Sequence, residues 1–283
     1  MRQAATLFIS LLLGNTSFAQ QQSLLWQISG NGLAKPSYLY GTIHLICEAD
    51  MQMSEALKQK FAQSEKLFLE MDMSDHTTIA KAQQLSMLPE HKTLRSFFKN
   101  DAEYARVDNF FSNTAGVPLS FLEKMKPFAL VSLLYAKCLP CMLPASYELS
   151  FIEIAKSQQK QIVGLETVEE QMAVVDKMTD AAQRKMLLNM VDSFETAKQS
   201  THQLVQLYKQ QKLDSLYTVA INNPDMTFSK KFFLDDRNKK WIPRLEKAIH
   251  DNSCFIAIGA AHLAANFGVI NLLRQKGYTI EPL

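Results

Sequence analysis

Apolar positions follow two spacings along this chain, in short runs near both ends and in a helical spacing through the middle. The short runs predict strands at residues 24–28, 37–43, 66–71, 161–165, 253–258 and 278–281. The turn residues Gly30-Asn31-Gly32 predict that the first two strands form a hairpin. Because strands alternate with helices near both ends, the pattern predicts an α/β fold. We expect a largely parallel central sheet flanked by helices, with a helical middle insertion or cap.

The helical middle insertion is expected at about residues 75–157. Helix starts are marked by polar residues whose side chains can accept a hydrogen bond from a free backbone N–H group of the first turn. Glu103 and Glu170 stand three residues after two of them, which is the spacing of a capping box. The predicted N-cap residues are Ser54, Asn100, Thr167 and Asn266.

The first nineteen residues have the pattern of a secretory signal peptide. Arg2 gives a basic start, residues 4–13 are mostly apolar, and Ser17-Phe18-Ala19 fits the small residues before a cleavage site. The apolar run is shorter than the ~20 residues that span a bilayer. We therefore predict that residues 1–19 are cleaved. Residues 20–283 would then be an exported domain, periplasmic or secreted, with no stable membrane span after cleavage.

The overall composition excludes some functional classes. The chain has 30 Lys and Arg residues against 28 Asp and Glu residues, a net charge of +2. This balance argues against a nucleic-acid-binding surface, which needs clustered positive charge. A hydrophobic content of 47% is enough to fill a sizeable core.

Four cysteines leave several roles open. Cys138 and Cys141 have the C-x-x-C spacing, but they end a predicted helix, whereas a thioredoxin-like motif begins one after a strand. A structural disulfide or simple packing is therefore favoured over a redox role. Cys47 lies three residues after His44, so that a thiol near a functional site is possible. With Cys254, the four cysteines allow three pairings, and the sequence does not choose among them.

Four polar residues stand at the ends of predicted strands: His44, Glu70, Glu166 and His262. In open α/β sheets, ligands bind at the carboxyl ends of the strands. A parallel sheet would bring these four side chains to one edge. Taken singly, each has an ordinary alternative, such as a loop histidine, a solvated carboxylate or a favourable charge at a helix start.

The two histidines share a Gly-x-x-His pattern, at Gly41 to His44 and at Gly259 to His262. A glycine at a strand end permits a tight turn or the close approach of a ligand. Two copies far apart in the sequence are more informative than one. Arg237, in a charged segment that begins the last long helix, is a further candidate, although it could simply pair with a carboxylate.

In these segments the sequence resembles the TraB/GumN family, which includes Tiki-type proteases and pheromone-shutdown-type proteins. The resemblance covers about residues 24–282, and its segments occur in the same order. The matching stretches are Tyr40-Gly-Thr-Ile-His-Leu45, Leu67-Phe-Leu-Glu-Met71, Val163-Gly-Leu-Glu-Thr167, Asp236-Arg-Asn238 with Trp241, and Ile258-Gly-Ala-Ala-His-Leu263.

The resemblance implies an α/β fold and a divalent-metal-dependent protease site. Carried over, the ligands fall on His44, Glu70 and His262, with manganese, cobalt or zinc as the ion and a peptide or protein as substrate. Two histidines and a carboxylate leave coordination positions open for water. Glu166 is then expected to act as general base and Arg237 to stabilise negative charge on the substrate.

Other functions remain open beside the metal-assisted hydrolase. A metal-free, esterase-like hydrolase would use a histidine as general base and keep its activity in the presence of chelators. A secreted binding protein would sequester a peptide or small ligand without chemistry. A redox role through Cys138 and Cys141 requires a reactive thiol.

Overall fold

The fold is built on eight strands, which we describe from a computed structural model of residues 22–222 and 230–283. The predicted signal peptide lies outside these residues. The strands are β1 (Leu25–Ser29), β2 (Ser37–Thr42), β3 (Ile46–Cys47), β4 (Lys66–Leu69), β5 (Pro144–Ala145), β6 (Gln161–Gly164), β7 (Cys254–Gly259) and β8 (Thr279–Pro282).

Six of these strands form the central sheet in the order β6-β4-β7-β2-β1-β8. The four strands from β6 to β2 are mutually parallel, whereas β1 is antiparallel to both β2 and β8. The predicted α/β class and largely parallel sheet are therefore confirmed. The β1–β2 hairpin is present, and its turn residues Gly30, Asn31 and Gly32 all have positive φ. β3 and β5 pair separately as a short antiparallel ribbon.

Helices cover the sheet and form most of the segment between β4 and β6. They are α1 (Glu55–Gln63), α2 (His76–Leu85), α3 (Asp101–Thr114), α4 (Pro127–Lys137), α5 (Tyr147–Ser157), α6 (Val168–Val175), α7 (Asp180–Asp192), α8 (Phe194–Lys209), α9 (Leu213–Ile221), α10 (Asp236–Asp251) and α11 (Val269–Gln275). A π-helical turn, Lys231–Asp235, precedes α10, and a 3-10 turn, Ala260–His262, follows β7.

None of the helices among the described residues combines the length and the apolar character needed to cross a membrane.

The described residues pack around two main hydrophobic cores. The first surrounds the sheet and includes the fully buried side chains of Leu39, Trp241 and Phe255. The second lies between α3, α4 and α7. These helices contribute the buried side chains of Val107, Leu130 and Leu187, respectively. Burial of these apolar side chains is the main stabilising contribution to the fold.

The predicted helix caps are confirmed at three of four positions. The Ser54 side chain accepts a hydrogen bond from the Leu57 N–H at the start of α1. Thr167 and Glu170 form a complete capping box at the start of α6. The Asn100 side chain accepts from the Glu103 N–H, and the Glu103 carboxylate accepts from the N–H of Lys99 rather than from that of Asn100. The prediction for Asn266 was wrong, because α11 begins after Gly268. A Cβ at Gly268 would lie 2.1 Å from the carbonyl oxygen of Ala264, so that a tight backbone turn determines this helix start.

Candidate functional site

The carboxyl ends of the parallel strands bring the predicted site residues together. His44 follows β2, Glu70 follows β4, Glu166 follows β6, and His262 lies in the turn after β7. The register aligns Thr42 with Gly259 and Leu69 with Ala257, so that the first residues beyond these strands are close neighbours. Arg237 reaches the same edge from the first turn of α10.

Glu70 lies at the centre of this cluster and is buried. Its Oε2 accepts a hydrogen bond from Arg237 at 2.5 Å, and its Oε1 accepts one from the backbone N–H of Gly259 at 2.9 Å. The Nε2 atoms of His44 and His262 each lie 3.8 Å from this same Oε1. Although burial acts in the opposite direction, Arg237 and the two histidines hold the pKa of Glu70 well below its usual range.

The glycine of the second Gly-x-x-His pattern has a clear steric reason. A Cβ at Gly259 would lie 3.2 Å from Glu70 Oε1, 3.4 Å from His44 Nε2 and 3.6 Å from His262 Cδ2. Any side chain at this position would therefore fill the space between the two imidazoles and the carboxylate. The glycine keeps this space open.

The hydrogen bonds of Asn238 determine the tautomer of His262. Its amide nitrogen donates to the carbonyl oxygens of His262 at 3.1 Å and Phe267 at 2.8 Å. Asn238 Oδ1 therefore faces His262 Nδ1, at 2.6 Å, and accepts a hydrogen bond from the N–H of that nitrogen. Burial, together with the nearby Arg237 guanidinium, lowers the pKa of His262 to about 3 despite Glu70. A neutral ring results, with its lone pair on Nε2, facing the site.

His44 is held by a carboxylate from a distant helix. Its Nδ1 lies 2.9 Å from Oε1 of Glu148, in the first turn of α5. Glu148 also accepts hydrogen bonds from Thr42 at 2.6 Å and Ser146 at 2.7 Å. The carboxylates of Glu148 and Glu70 raise the pKa of His44 to about 9. The His44 side chain is 64% exposed, so that solvent screens part of this effect.

Arg237 and Glu166 form a buried ion pair behind Glu70. Arg237 Nε lies 3.0 and 3.1 Å from the two oxygens of Glu166, and a terminal nitrogen lies 2.6 Å from Oε1. Trp241 Nε1 donates to Glu166 Oε2 at 3.2 Å. The second terminal nitrogen of Arg237 donates to the Phe233 carbonyl oxygen at 2.9 Å and lies 3.3 Å from His262 Nε2. Both oxygens of Glu166 are thus engaged, and burial raises its pKa against the effect of Arg237.

The cluster faces a cavity of about 520 Å³. His44, Glu70, Arg237 and His262 line one end of it, and apolar side chains line most of the rest. Glu166 is outside this lining, on the far side of Arg237. The arrangement combines two imidazoles, a carboxylate and a guanidinium beside a space that a ligand can enter.

A disulfide joins the two segments that carry His44 and Glu148. Cys47 of β3 pairs with Cys141, just before β5. Cys138 and Cys254 are unpaired and buried. Burial raises the pKa of the Cys138 thiol to about 11, so that this thiol is not reactive. Cys138 and Cys141 therefore do not form a redox pair with each other, and the redox alternative loses its support.

Sequence reasoning missed Glu148 and gave Asn238 no role of its own. Both are ordinary polar residues near helix starts, and their contacts with His44 and His262 span 104 and 24 positions of the chain. No local pattern distinguishes Glu148 from the other glutamates of the helical middle.

Across residues 22–222 and 230–283, no group of three or more His, Cys, Asp or Glu side chains is placed, as it stands, to hold a metal ion.

A model of the TraB/PrgY/gumN family matches residues 24–282. The chain belongs to this family. Among curated proteins it is similar to Metalloprotease TIKI2 and Metalloprotease TIKI1 of Danio rerio, each 23% identical, and to Metalloprotease TIKI1 of Homo sapiens, 22% identical. These alignments cover 92%, 94% and 93% of this chain, but only 60%, 64% and 62% of the relatives. The TraB/PrgY/gumN chain therefore spans about three-fifths of their length. No solved structure matches it significantly.

Proposed function

We propose that this chain is an exported metal-assisted hydrolase, a peptidase acting on peptides or proteins. The observation that carries the proposal is the convergence of two imidazole Nε2 atoms on one oxygen of Glu70, each at 3.8 Å. The names of its relatives, metalloproteases, support the peptidase activity. Because the chain spans only part of those relatives, their activity is carried over here as a proposal.

His44, Glu70 and His262 have suitable chemistry for a divalent ion. Two donors at 2.1 Å from one tetrahedral ion lie ~3.4 Å apart, and the 3.8 Å separations are within about half an ångström of this. Metal-binding histidines almost always donate their other ring N–H to an oxygen, and Glu148 and Asn238 stand in those positions. A small closing movement would complete the site. The set suits manganese, cobalt or zinc.

The surrounding residues would orient the reacting groups. When bound, the ion would polarise a substrate carbonyl and activate water. Arg237 holds Glu70 by one terminal nitrogen, and its other lies 3.3 Å from His262 Nε2, where it could stabilise negative charge developing on the substrate. Glu166, predicted from the sequence as general base, fits better as the group that orients Arg237, since both its oxygens are engaged away from the cavity.

A metal-free hydrolase is a second candidate, favoured by the position of His262 rather than by its basicity. The Nε2 lone pair of its neutral ring faces the site, where a general base would stand, although the low pKa makes this ring a weak base. A terminal nitrogen of Arg237 lies 3.3 Å from that Nε2, close enough to bind an oxygen of a substrate that is held beside His262. This version differs from the first in needing no ion for activity.

Export is part of the proposal, with residues 1–19 removed and residues 20–283 forming the mature domain. The disulfide between Cys47 and Cys141 supports it, because such bonds form and persist in oxidising compartments.

The decisive experiment measures bound metal and peptide hydrolysis in the purified protein and in the double variant His44→Ala/His262→Ala. His76→Ala/His202→Ala is the matched control, since both residues lie on helices outside the cluster. Hydrolysis of a peptide library is assayed with manganese, cobalt or zinc, and with a chelator. We expect the site variant to lose its bound metal and to hydrolyse peptides at least about a hundredfold more slowly. The control should keep its metal content and its activity.

Each other outcome has a distinct meaning. Equal metal content in the site variant and the wild type would contradict a metal site at His44, Glu70 and His262. Hydrolysis that persists with a chelator but not in the site variant would favour the metal-free hydrolase. Ligand retention without hydrolysis, unchanged in the site variant, would favour a secreted binding protein.

A further inference from the structure

The cavity beside the cluster has an apolar wall that the proposed chemistry does not use. It is contributed by α4, α6, α8, α9 and the π-helical turn before α10. The rings of Phe128 and Phe233 stack within it, with centroids 6.0 Å apart and planes at 14°. Val131, Val175, Leu204 and Leu216 are further apolar residues of this wall.

Among the described lining residues of this cavity, charge is confined to the cluster. The ionisable side chains of its described lining, apart from the phenol of Tyr135, are His44, Glu70, Arg237 and His262, all in the cluster. Beyond the cluster, the polar side chains of the described lining are the neutral Thr42, Ser132, Tyr135 and Gln171. A charged side chain entering the apolar part would lose its hydration without meeting an opposite charge. A large apolar side chain would exchange water for the wall at a gain that grows with its buried area.

We propose that this cavity is a specificity pocket for a bulky apolar side chain, aromatic or long aliphatic, on the residue beside the cleaved bond. The inference rests on the proposed function, since it names the substrate class of the same site. A volume of about 520 Å³ accommodates such a side chain together with the adjoining backbone. The backbone would then lie against His44, Glu70 and Arg237 while the side chain points away from them.

The first test is hydrolysis of a mixed peptide library by the purified protein, with every cut mapped by mass spectrometry. We expect Phe, Tyr, Trp, Leu or Met at one fixed position beside the cut, with at least about tenfold higher kcat/KM than Ala, Asp or Lys there. Cuts flanked mainly by small or charged residues would overturn the proposal.

A variant that fills the pocket ties the preference to this cavity. Ala220 lines the cavity from α9, and Ala220→Phe would occupy the space of the substrate side chain. The ratio of cleavage at Phe to cleavage at Ala should fall at least about tenfold. Thr218→Phe is the matched control, because Thr218 is exposed on the same helix and is not part of the lining. An unchanged ratio in the filled variant would overturn the proposal.

A binding measurement separates this inference from the proposed function. Acetyl-Ala-Ala-Phe-Ala-Ala-amide and its all-alanine counterpart are titrated by calorimetry into His44→Ala/His262→Ala protein, with and without Ala220→Phe. We expect at least about tenfold tighter binding of the Phe peptide, lost on filling. If the Phe peptide binds more tightly but the wild type hydrolyses neither peptide, the proposed hydrolase function is contradicted and the pocket is not. Equal binding of both peptides would contradict the pocket, whatever the wild type hydrolyses.

Discussion

At the scale of single residues, each histidine of the site is oriented through the ring nitrogen that faces away from Glu70. Asn238 accepts from His262, and Glu148 faces His44 while it receives hydrogen bonds from Thr42 and Ser146. A ring held at one nitrogen presents the other in a defined direction. The residues that orient the two rings therefore lie outside the set of site residues predicted from the sequence.

Glu148→Gln should weaken the site while leaving the fold intact. The change keeps the length of the side chain but removes the negative charge beside His44 Nδ1. We expect a 10- to 100-fold loss of kcat or of metal affinity, with a smaller change in KM. Steady-state kinetics and metal titration measure this.

Glu153→Gln is the control for that variant, because Glu153 is exposed on the same helix. Equal kinetics and metal affinity in Glu148→Gln and in the wild type would show that His44 needs no such partner.

At the scale of elements, α10 fastens the β6–α6 connection to the sheet edge at two points. Arg237 bonds Glu166, and Arg244, two helical turns further on, bonds the Leu165 carbonyl oxygen and both oxygens of Glu170. Residues seven apart lie on the same face of a helix, so that one face of α10 makes both contacts. Glu170 also completes the capping box of α6. The strand end that carries Glu166 is thereby held in place.

The bond between Glu170 and Arg244 should give the protein an acid-dependent stability. Hydrogen bonds from Arg244, opposed by burial, lower the pKa of Glu170 to about 2, whereas an unfolded glutamate has a pKa of about 4.3. The stabilisation is complete above the unfolded value and is lost as the pH falls through the folded one. Glu170→Gln should therefore cost about 0.5 kcal/mol at pH 7, because the pair is partly exposed, and almost nothing near pH 2.

Urea unfolding at pH 7, 4 and 2 tests this expectation. Glu55→Gln, in an exposed pair on α1, is the comparison at each pH. If the difference in the free energy of unfolding between Glu170→Gln and the wild type stays constant down to pH 2, the lowered pKa of Glu170 is contradicted.

At the scale of the whole molecule, one covalent bond links the segment after β2 to the segment between α4 and β5. The disulfide between Cys47 and Cys141 spans 94 positions, a stretch that contains β4 and the helices α1 to α4. Cys47 follows His44 on one segment, and Cys141 precedes Glu148 on the other. The same bond thus stabilises the fold and restricts the distance between a site histidine and its partner.

Reduction of this disulfide, or Cys47→Ser/Cys141→Ser, should lower both stability and activity. Closing a loop of this length contributes about 3–5 kcal/mol through the restricted unfolded chain. Thermal unfolding and kcat/KM, measured with a phosphine reductant, test both effects. Cys138→Ser/Cys254→Ser is the control, because those thiols are unpaired. Reduction should lower activity less in the Glu148→Gln variant, because the carboxylate that pairs with His44 is already absent there. Unchanged activity after full reduction would contradict the link to the site.

Local pattern predicted the six strands of the central sheet, but not the short β3–β5 ribbon, because alternation, helical spacing and capping act between residues a few positions apart. The capping box of Thr167 follows that rule, and Asn266 shows its limit, since the packing of a tight turn moved the helix start to Gly268. The meeting of His44, Glu70 and His262 was also predictable, because parallel strands end at one edge. Their chemical roles stay predictions.

Only the tertiary structure decided the partners of those residues. The bond from His44 to Glu148, the pairing of Cys47 with Cys141 and the apolar wall from α4 and α9 join segments that have no pattern in common. Each depends on how helices pack over the sheet, a property of volume and shape summed over the whole chain. Composition and spacing thus determined the elements and the edge of the site, and packing determined its orientation and its pocket.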